Sequence, residues 1–178
     1  MRNHLLALMF SLSALAANLM ALGGETPLLR EELKPLAGLL GKWELRAPGP
    51  DGNTISGTVL ITAEAGGNAV TARSELVDSA GKVIFSRHAI YFWRQDSKTI
   101  IDVCVDSSGK NFSSVLVQSS HDKMVWQGTG MTDARDLGSH VIVMTHVNDN
   151  TWTWLMKNIV LAGDPLPDSG KSTLTRMK

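Results

Sequence analysis

The strongest constraint on this chain is a series of short segments in which apolar and polar residues alternate, each followed by turn residues. Alternation with period two is typical of a β-strand with one buried face. The connecting segments, among them PGPDGN, EAGGN and DSSGKN, contain the Gly, Asn, Asp and Ser that favour turns. The predicted strands are Lys42–Arg46, Thr54–Ala63, Ala69–Val77, Val83–Trp93, Thr99–Val105, Phe112–Gln118, Lys123–Met131, His140–Val147, Trp152–Val160 and Lys171–Met177.

Strands joined only by short loops, with no helix between them, predict an antiparallel meander. A long meander has two exposed edges, and closure into a barrel removes both. We therefore predict an all-β fold in which residues 42–178 form one calycin-like domain, an antiparallel up-and-down β-barrel of about ten strands. The interior of a barrel of about this size has room for side chains and one small ligand.

The N-terminal residues 1–23 read as a signal peptide. Arg2 and His4 precede an apolar run, Leu5–Leu22, that contains no acidic residue and ends in small residues. The run is close to the roughly 20 residues that span a bilayer, so an uncleaved membrane anchor is the alternative. We expect an exported protein, periplasmic or secreted, with no stable membrane insertion once the signal is cleaved.

Residues 24–41 form a lead-in with helical spacing of leucines. We predict one short helix around Leu28–Lys34 and a second turn that begins at Pro35, because proline suits the first position of a helix, and ends at Gly41. This lead-in is expected to close one end of the barrel.

The charge balance and the cysteine content exclude several classes of function. Seventeen basic and seventeen acidic residues cancel, so no field attracts nucleic acid or an anionic membrane. Cys104 is the only cysteine, which excludes an internal disulfide and a multi-cysteine metal site. Cys104 itself reads as a small buried strand residue rather than a reactive thiol.

The ligand-binding residues predicted for the lumen are aromatic or sulfur-containing, with one histidine. Trp152, Trp154 and Met156 share one face of a strand, and Trp126 shares a face with Gly128, a small residue expected to leave space for it. The alternative is that these large side chains fill the barrel as core. The predicted lumen set is His88, Trp126, Met144, Trp152, Trp154 and Met156.

The facing of the strand around His88 stays open in the sequence. His88 belongs to the set with Ile84, Ile90 and Phe92, whereas Arg87 belongs to the set with Phe85, Tyr91 and Trp93. The charge of Arg87 favours an outward position for its set, and the aromatic residues favour an inward one.

No metal site and no catalytic residue is predicted. His140 and His146 share a face but lie some 20 Å apart at ~3.3 Å per residue, too far for one metal. Asp102 and Asp106 show no spacing that pairs them as acid and base, and solvent-exposed positions are expected for both.

Several segments together resemble one group of proteins: PLAGLLGKWE, AGKVIFSRHAIYFW, CVDSSGKNF, NDNTWTW and GDPLPD. From about Leu36 to the C-terminus the chain is similar to a group of exported bacterial calycin-like barrels of unknown function. The group has shapes related to lipocalins and nitrobindin and is sometimes found beside a SnoaL-like domain. The resemblance implies the fold far more than an activity. Nitrobindin-like members bind haem through an axial histidine and begin with a glycine-rich motif, of which Gly41 to Trp43 match only the start, so no cofactor is predicted and haem is the alternative.

The leading interpretation is an exported barrel that binds a small hydrophobic ligand in its lumen without catalysis. The alternative is a packed accessory domain that acts through its surface on a protein partner. A third hypothesis is an enzyme, a hydrolase or isomerase, that uses His88 with a carboxylate.

Overall fold

A computed structural model describes residues 28–49, 52–78, 80–131 and 136–178. The predicted signal peptide, residues 1–23, lies outside these ranges and stays a prediction. No helix in the described ranges is both long and apolar enough to cross a bilayer.

The described residues form one antiparallel sheet that closes on itself, which confirms the predicted up-and-down barrel. Ten strands make the ring, in the order β1 to β9 and then β11, and β11 pairs with β1 to close it. The short β10 adds to the edge of β9 beyond the end of β11. The strands are β1 Gly41–Pro48, β2 Thr54–Glu64, β3 Ala69–Val77, β4 Val83–Arg94, β5 Thr99–Asp106, β6 Asn111–Ser119, β7 Lys123–Met131, β8 Leu137–Asn148, β9 Thr151–Leu161, β10 Asp164–Leu166 and β11 Ser172–Arg176.

The lead-in is one 3₁₀ helix, Glu31–Leu39, and the prediction of two helical pieces separated at Pro35 is wrong. Its apolar residues repeat every third position, which is the period of a 3₁₀ helix, so Leu33, Leu36 and Leu39 lie on one face and are buried. Pro35 falls on the exposed side of the same helix. This capping helix closes one end of the barrel, as expected of the lead-in.

Two contacts attach the ends of the capping helix to the barrel. At its start, the backbone N–H of Arg30 donates to the carbonyl of Gly67 in the β2–β3 turn, at 3.1 Å. At its end, Arg176 of β11 donates from Nη1 to the carbonyl of Leu40 at 2.7 Å and from Nη2 to that of Gly38 at 2.9 Å. The same guanidinium lies over the ring of Trp43, 4.1 Å from its centroid.

The core is concentrated in the half of the barrel next to the capping helix. Trp43 is fully buried there, and its indole N–H donates to the carbonyl of Leu39 at 2.7 Å. Inward side chains from most of the strands complete this core: Ile61, Val70, Ile100, Met124, Trp126, Ile142, Trp152 and Leu174. One half of the barrel is therefore packed, and the functional question concerns the other half.

Candidate functional site

The half of the barrel away from the capping helix encloses a cavity of about 340 Å³. It lies toward the β1–β2, β3–β4 and β5–β6 turns. Ala72 and Ala89, neighbours on β3 and β4, keep the wall thin where larger residues would fill the space. The remaining apolar wall consists of Leu45, Ala47, Val59, Leu76, Phe85, Phe112, Ile142, Met144, Trp154, Met156 and Leu174.

The predicted aromatic and methionine set is divided between the cavity wall and the core. Met144, Trp154 and Met156 line the cavity. Trp126 and Trp152 are only 3% and 4% exposed and belong to the packed half. The two readings of these residues, pocket wall or core, thus each apply to part of the set, because only one half of the barrel is hollow.

The prediction that His88 faces the lumen is wrong. His88 is exposed on the outer surface, where Arg73 Nε donates to its Nε2 at 3.1 Å. Its neighbours Arg87 and Ala89 point into the barrel instead and line the cavity. None of the described residues around the outer groove at His88 carries a carboxylate, so the acid partner that the enzyme hypothesis needs is absent from that groove.

A belt of polar side chains crosses the inner wall at the base of the cavity. Tyr91, Asp102, Ser114, Gly128 and His140 are successive cross-strand partners on β4 to β8. These residues share the inward face of the sheet. Three of them, Asp102, Ser114 and His140, are at most 5% exposed. Tyr91 and His140, at the two ends of this belt, line the cavity, whereas Asp102 and Ser114 between them are not among its lining residues.

The expectation that Asp102 is exposed to solvent is wrong. Its side chain is 3% exposed and pairs with Arg87, whose Nη2 lies 3.2 Å from Asp102 Oδ2. The Arg87 side chain is 25% exposed, and it lines the cavity. Three buried polar atoms of the belt and its neighbour have no hydrogen-bond partner among the described residues: Arg87 Nε, Asp102 Oδ1 and Ser114 Oγ. Such atoms are costly to leave unpaired and are candidates for contact with a ligand or water.

Burial shapes the charge state of this belt. Burial raises the pKa of Asp102 to about 6, although the charge of Arg87 and the nearby Ser114 hydroxyl act in the opposite direction. Burial opposes the charged form of Arg87, but Tyr91, Cys104 and Asp102, which are negative when ionised, raise its pKa above the ordinary value. Burial also raises the pKa of Tyr91 and of the Cys104 thiol, so both stay protonated near neutral pH.

His140 occupies space that Gly128 leaves free. A Cβ at position 128 would lie 2.5 Å from His140 Nε2 and 2.8 Å from Ser114 Oγ. The glycine therefore leaves space for these two polar groups, whereas the sequence had suggested that it leaves space for Trp126. The ring of His140 packs edge-on against Phe112, with centroids 5.1 Å apart. Burial and the charge of Arg87 lower the pKa of His140, so its imidazole is neutral near pH 7.

The arrangement of His140 does not fit an axial haem ligand. It is the one histidine among the described residues that line the cavity. Its Nε2 lies against the wall at Gly128 and Ser114 rather than toward the centre of the cavity. No group of three His, Cys, Asp or Glu side chains in the described ranges is arranged to hold a metal ion.

Sequence reasoning missed the polar belt, although one signal for it was present. In the segment TIIDVCVD, Asp102 and Cys104 share a face. Cys104 was expected to be buried, and the same alternation places Asp102 inside. The partner on the neighbouring strand, Arg87, lies 15 residues earlier.

The comparisons with known proteins extend to the fold. The crystal structure of Rv2717c from M. tuberculosis has a TM-score of 0.61 and 17% identity, and the match covers 84% of this chain and 99% of that chain. Two redesigned β-barrels are similar at lower TM-scores. The barrel b11L5F_LGL has a TM-score of 0.46 and 12% identity, and the match covers 82% of this chain and 96% of that chain. The barrel mFAP1 bound to DFHBI has a TM-score of 0.43 and 12% identity, and the match covers 80% of this chain and 99% of that chain. Neither the protein-family models nor the curated proteins compared with this chain give a match.

Proposed function

We propose that this chain is an exported, non-catalytic binding protein that holds a small hydrophobic molecule in the hollow half of its barrel. The observation that carries the proposal is the cavity of about 340 Å³ with its mainly apolar wall. Binding pockets for small molecules are typically concave, mostly apolar and a few hundred Å³ in volume, with a small number of polar groups that orient the ligand. This cavity has each of those properties.

The division of the barrel supports the same proposal. The packed half and the capping helix contain the large fully buried residues Trp43, Leu33, Leu36 and Met124, so the largest buried side chains lie outside the cavity. Burial of an apolar ligand contributes roughly 25 cal/mol for each Å² removed from water. A cavity wall that includes Trp154 and Met156 offers such area to an alkyl chain or an aromatic ring.

The binding proposal is tested with 1-octanol, an uncharged molecule that fits a cavity of this size. Isothermal titration calorimetry should detect binding by the wild-type protein, and Ala72→Leu should weaken it at least tenfold because the larger side chain fills the cavity. The matched control is Ser113→Leu, which adds a side chain of the same size on the exposed outer face of β6. Absence of octanol binding, or an equal effect of both variants, would contradict the proposal.

Export to the periplasm or the medium is the second part of the proposal, and the apolar run of residues 5–22 supports it. The measurement is the intact mass of the protein recovered from each compartment of the cells that express the full chain. A mass that lacks about the first 23 residues, found outside the cytoplasm, is expected. A full-length cytoplasmic product would contradict it.

An action through the surface on a protein partner is the second candidate function, and an outer apolar strip favours it. Ile90, Val103 and Val105 are 42%, 42% and 51% exposed on the outside of β4 and β5. Exposed apolar residues that adjoin one another often mark interaction sites. A partner that is lost with Val105→Glu and kept with Ser113→Glu would support this function, and octanol binding should be the same in both variants.

A further inference from the structure

We propose that the ligand of the cavity is a compact apolar acid whose carboxylate binds the guanidinium of Arg87. This inference rests on the proposed function and specifies its ligand class. The apolar wall would hold the body of the ligand, and Arg87 would hold its head group at the base of the cavity.

The guanidinium has donors to spare. Arginine carries five N–H donors in a planar fork. Among the described residues Arg87 makes one ion pair, from Nη2 to Asp102 Oδ2 at 3.2 Å, while its buried Nε has no partner. An unpaired buried donor destabilises the protein, and an acceptor from a ligand removes that cost. A carboxylate matches the fork because its two oxygens accept two parallel N–H bonds.

The charges that face the cavity favour an anion. Arg87 and Lys110 both line it, and Lys110 lies near the mouth. Asp102, the partner of Arg87, is not among the lining residues. Asp106 lines the cavity, but its Oδ1 accepts from the backbone N–H groups of Ser108 and Lys110 and from the Ser108 hydroxyl, which direct it into the turn. Two cations therefore line the cavity, and the one acid that lines it, Asp106, has an oxygen held by the turn.

The alternative ligand class is an amine, whose ammonium group would donate a hydrogen bond to Asp102 Oδ1. That oxygen is also unpaired, but it is buried in an aspartate 2% exposed, behind the cavity wall, whereas Arg87 reaches the cavity itself. An ammonium head group would in addition be repelled by Arg87 and Lys110. The acid is thus the class that the lining supports, and the amine becomes a comparison in the test.

The test compares three probes with the same eight-carbon chain: octanoate, 1-octanol and octylammonium. At about pH 7, octanoate is expected to bind at least tenfold more tightly than octanol, as charge-assisted hydrogen bonds to a buried guanidinium predict. Octylammonium should bind more weakly than octanol. Octanol that binds as tightly as octanoate, or octylammonium that binds more tightly than either, would overturn the inference and leave the proposed function intact. No binding of any of the three would overturn both.

Two variants assign the preference to Arg87. Arg87→Met combined with Asp102→Leu removes both charges, which avoids an uncompensated buried ion. It should reduce the octanoate preference to less than about threefold while octanol binding is retained, which shows that the cavity is intact. The exposed Arg73→Met on the outer surface is the charge-matched control and should change neither affinity. A preference that persists in the double variant would overturn the inference.

The second variant covers the case in which the double variant does not fold. Asp102→Asn removes the anion that competes for Arg87 and keeps the shape of the side chain. Octanoate should then bind more tightly than to the wild-type protein, at an unchanged affinity for octanol. Weaker or equal octanoate binding would overturn the inference.

Discussion

The difference in unfolding free energy between the wild-type protein and its Asp102→Asn variant should depend on pH. In the folded protein burial raises the pKa of Asp102 to about 6, from an ordinary value of 3.8. Between these values the folded protein holds a proton at Asp102 that the unfolded chain has released. Folding therefore becomes less favourable as the pH rises through this window, and the whole penalty is present above about pH 6. The Asn variant has no group at this position that titrates.

The size of the effect follows from the two pKa values. A tenfold change in proton affinity corresponds to about 1.4 kcal/mol, so the rise from 3.8 to about 6 corresponds to about 3 kcal/mol. Arg87 stays charged throughout, since its pKa lies above the ordinary value, and its attraction to the Asp102 carboxylate is already contained in the folded-state pKa of Asp102. The other groups around Asp102 are Tyr91 on β4, Cys104 on its own strand and Ser114 on β6, and they are present in both proteins.

The assay is urea unfolding of both proteins at a series of pH values from about 4 to about 7.5. The unfolding free energy of the wild-type protein, minus that of Asp102→Asn, should fall by about 2.5 kcal/mol across the series, because part of the change lies below pH 4. Asp164→Asn makes the same chemical change at an exposed residue of β10 and gives the baseline. A difference for Asp102→Asn that stays flat or rises with pH would refute the assignment of a raised pKa to a buried, partly paired carboxyl.

Two further substitutions test the packing around the belt and the closure of the barrel. Gly128→Ala should lower the unfolding free energy by about 1–3 kcal/mol, because its Cβ would lie within 2.8 Å of His140 and Ser114. Gly138→Ala is the control and should lower it much less, since no atom lies nearer than 3.5 Å to a Cβ there. Equal losses of the two variants in urea unfolding would contradict this packing. Arg176→Lys should destabilise the protein by about 2 kcal/mol, since a lysine keeps the charge but not the planar guanidinium that reaches the carbonyls of both Leu40 and Gly38. Arg94→Lys, at an exposed arginine paired with Asp96, is the control. A loss of stability no larger than that of the control would contradict the role of this contact.

The strands were predictable because their signals are local. Turn residues and period-two alternation gave the bounds of β3, Ala69–Val77, and of β7, Lys123–Met131, and came within a few residues for the other eight strands of the ring. The prediction missed β10, Asp164–Leu166, because three exposed residues around a proline carry no alternation. The 3₁₀ helix was missed in type because the three-residue spacing of its leucines was read with an α-helical period.

The facing of β4 was not predictable from its own residues. A charged residue on a strand ordinarily indicates an exposed face, and this favoured an outward Arg87. What reverses that expectation is Asp102 on β5, whose carboxylate the Arg87 side chain reaches along the inner face, although the register of the two strands pairs Arg87 itself with Asp106. The cavity was equally out of reach, because its volume depends on how far the capping helix and its leucines fill one half of the barrel and leave the other open.

The pairing of β1 with β11 has a consequence for the order in which the molecule is completed. Trp43 opposes Arg176, so the two ends of the described chain meet at the seam that closes the ring. Arg176 follows Leu40 by 136 residues, and until β11 has been made β1 and β9 each lack a strand partner along one edge. Contacts between such distant residues are slow to form. The seam between β1 and β11 therefore both closes the ring and, through Arg176, attaches the end of the capping helix to it.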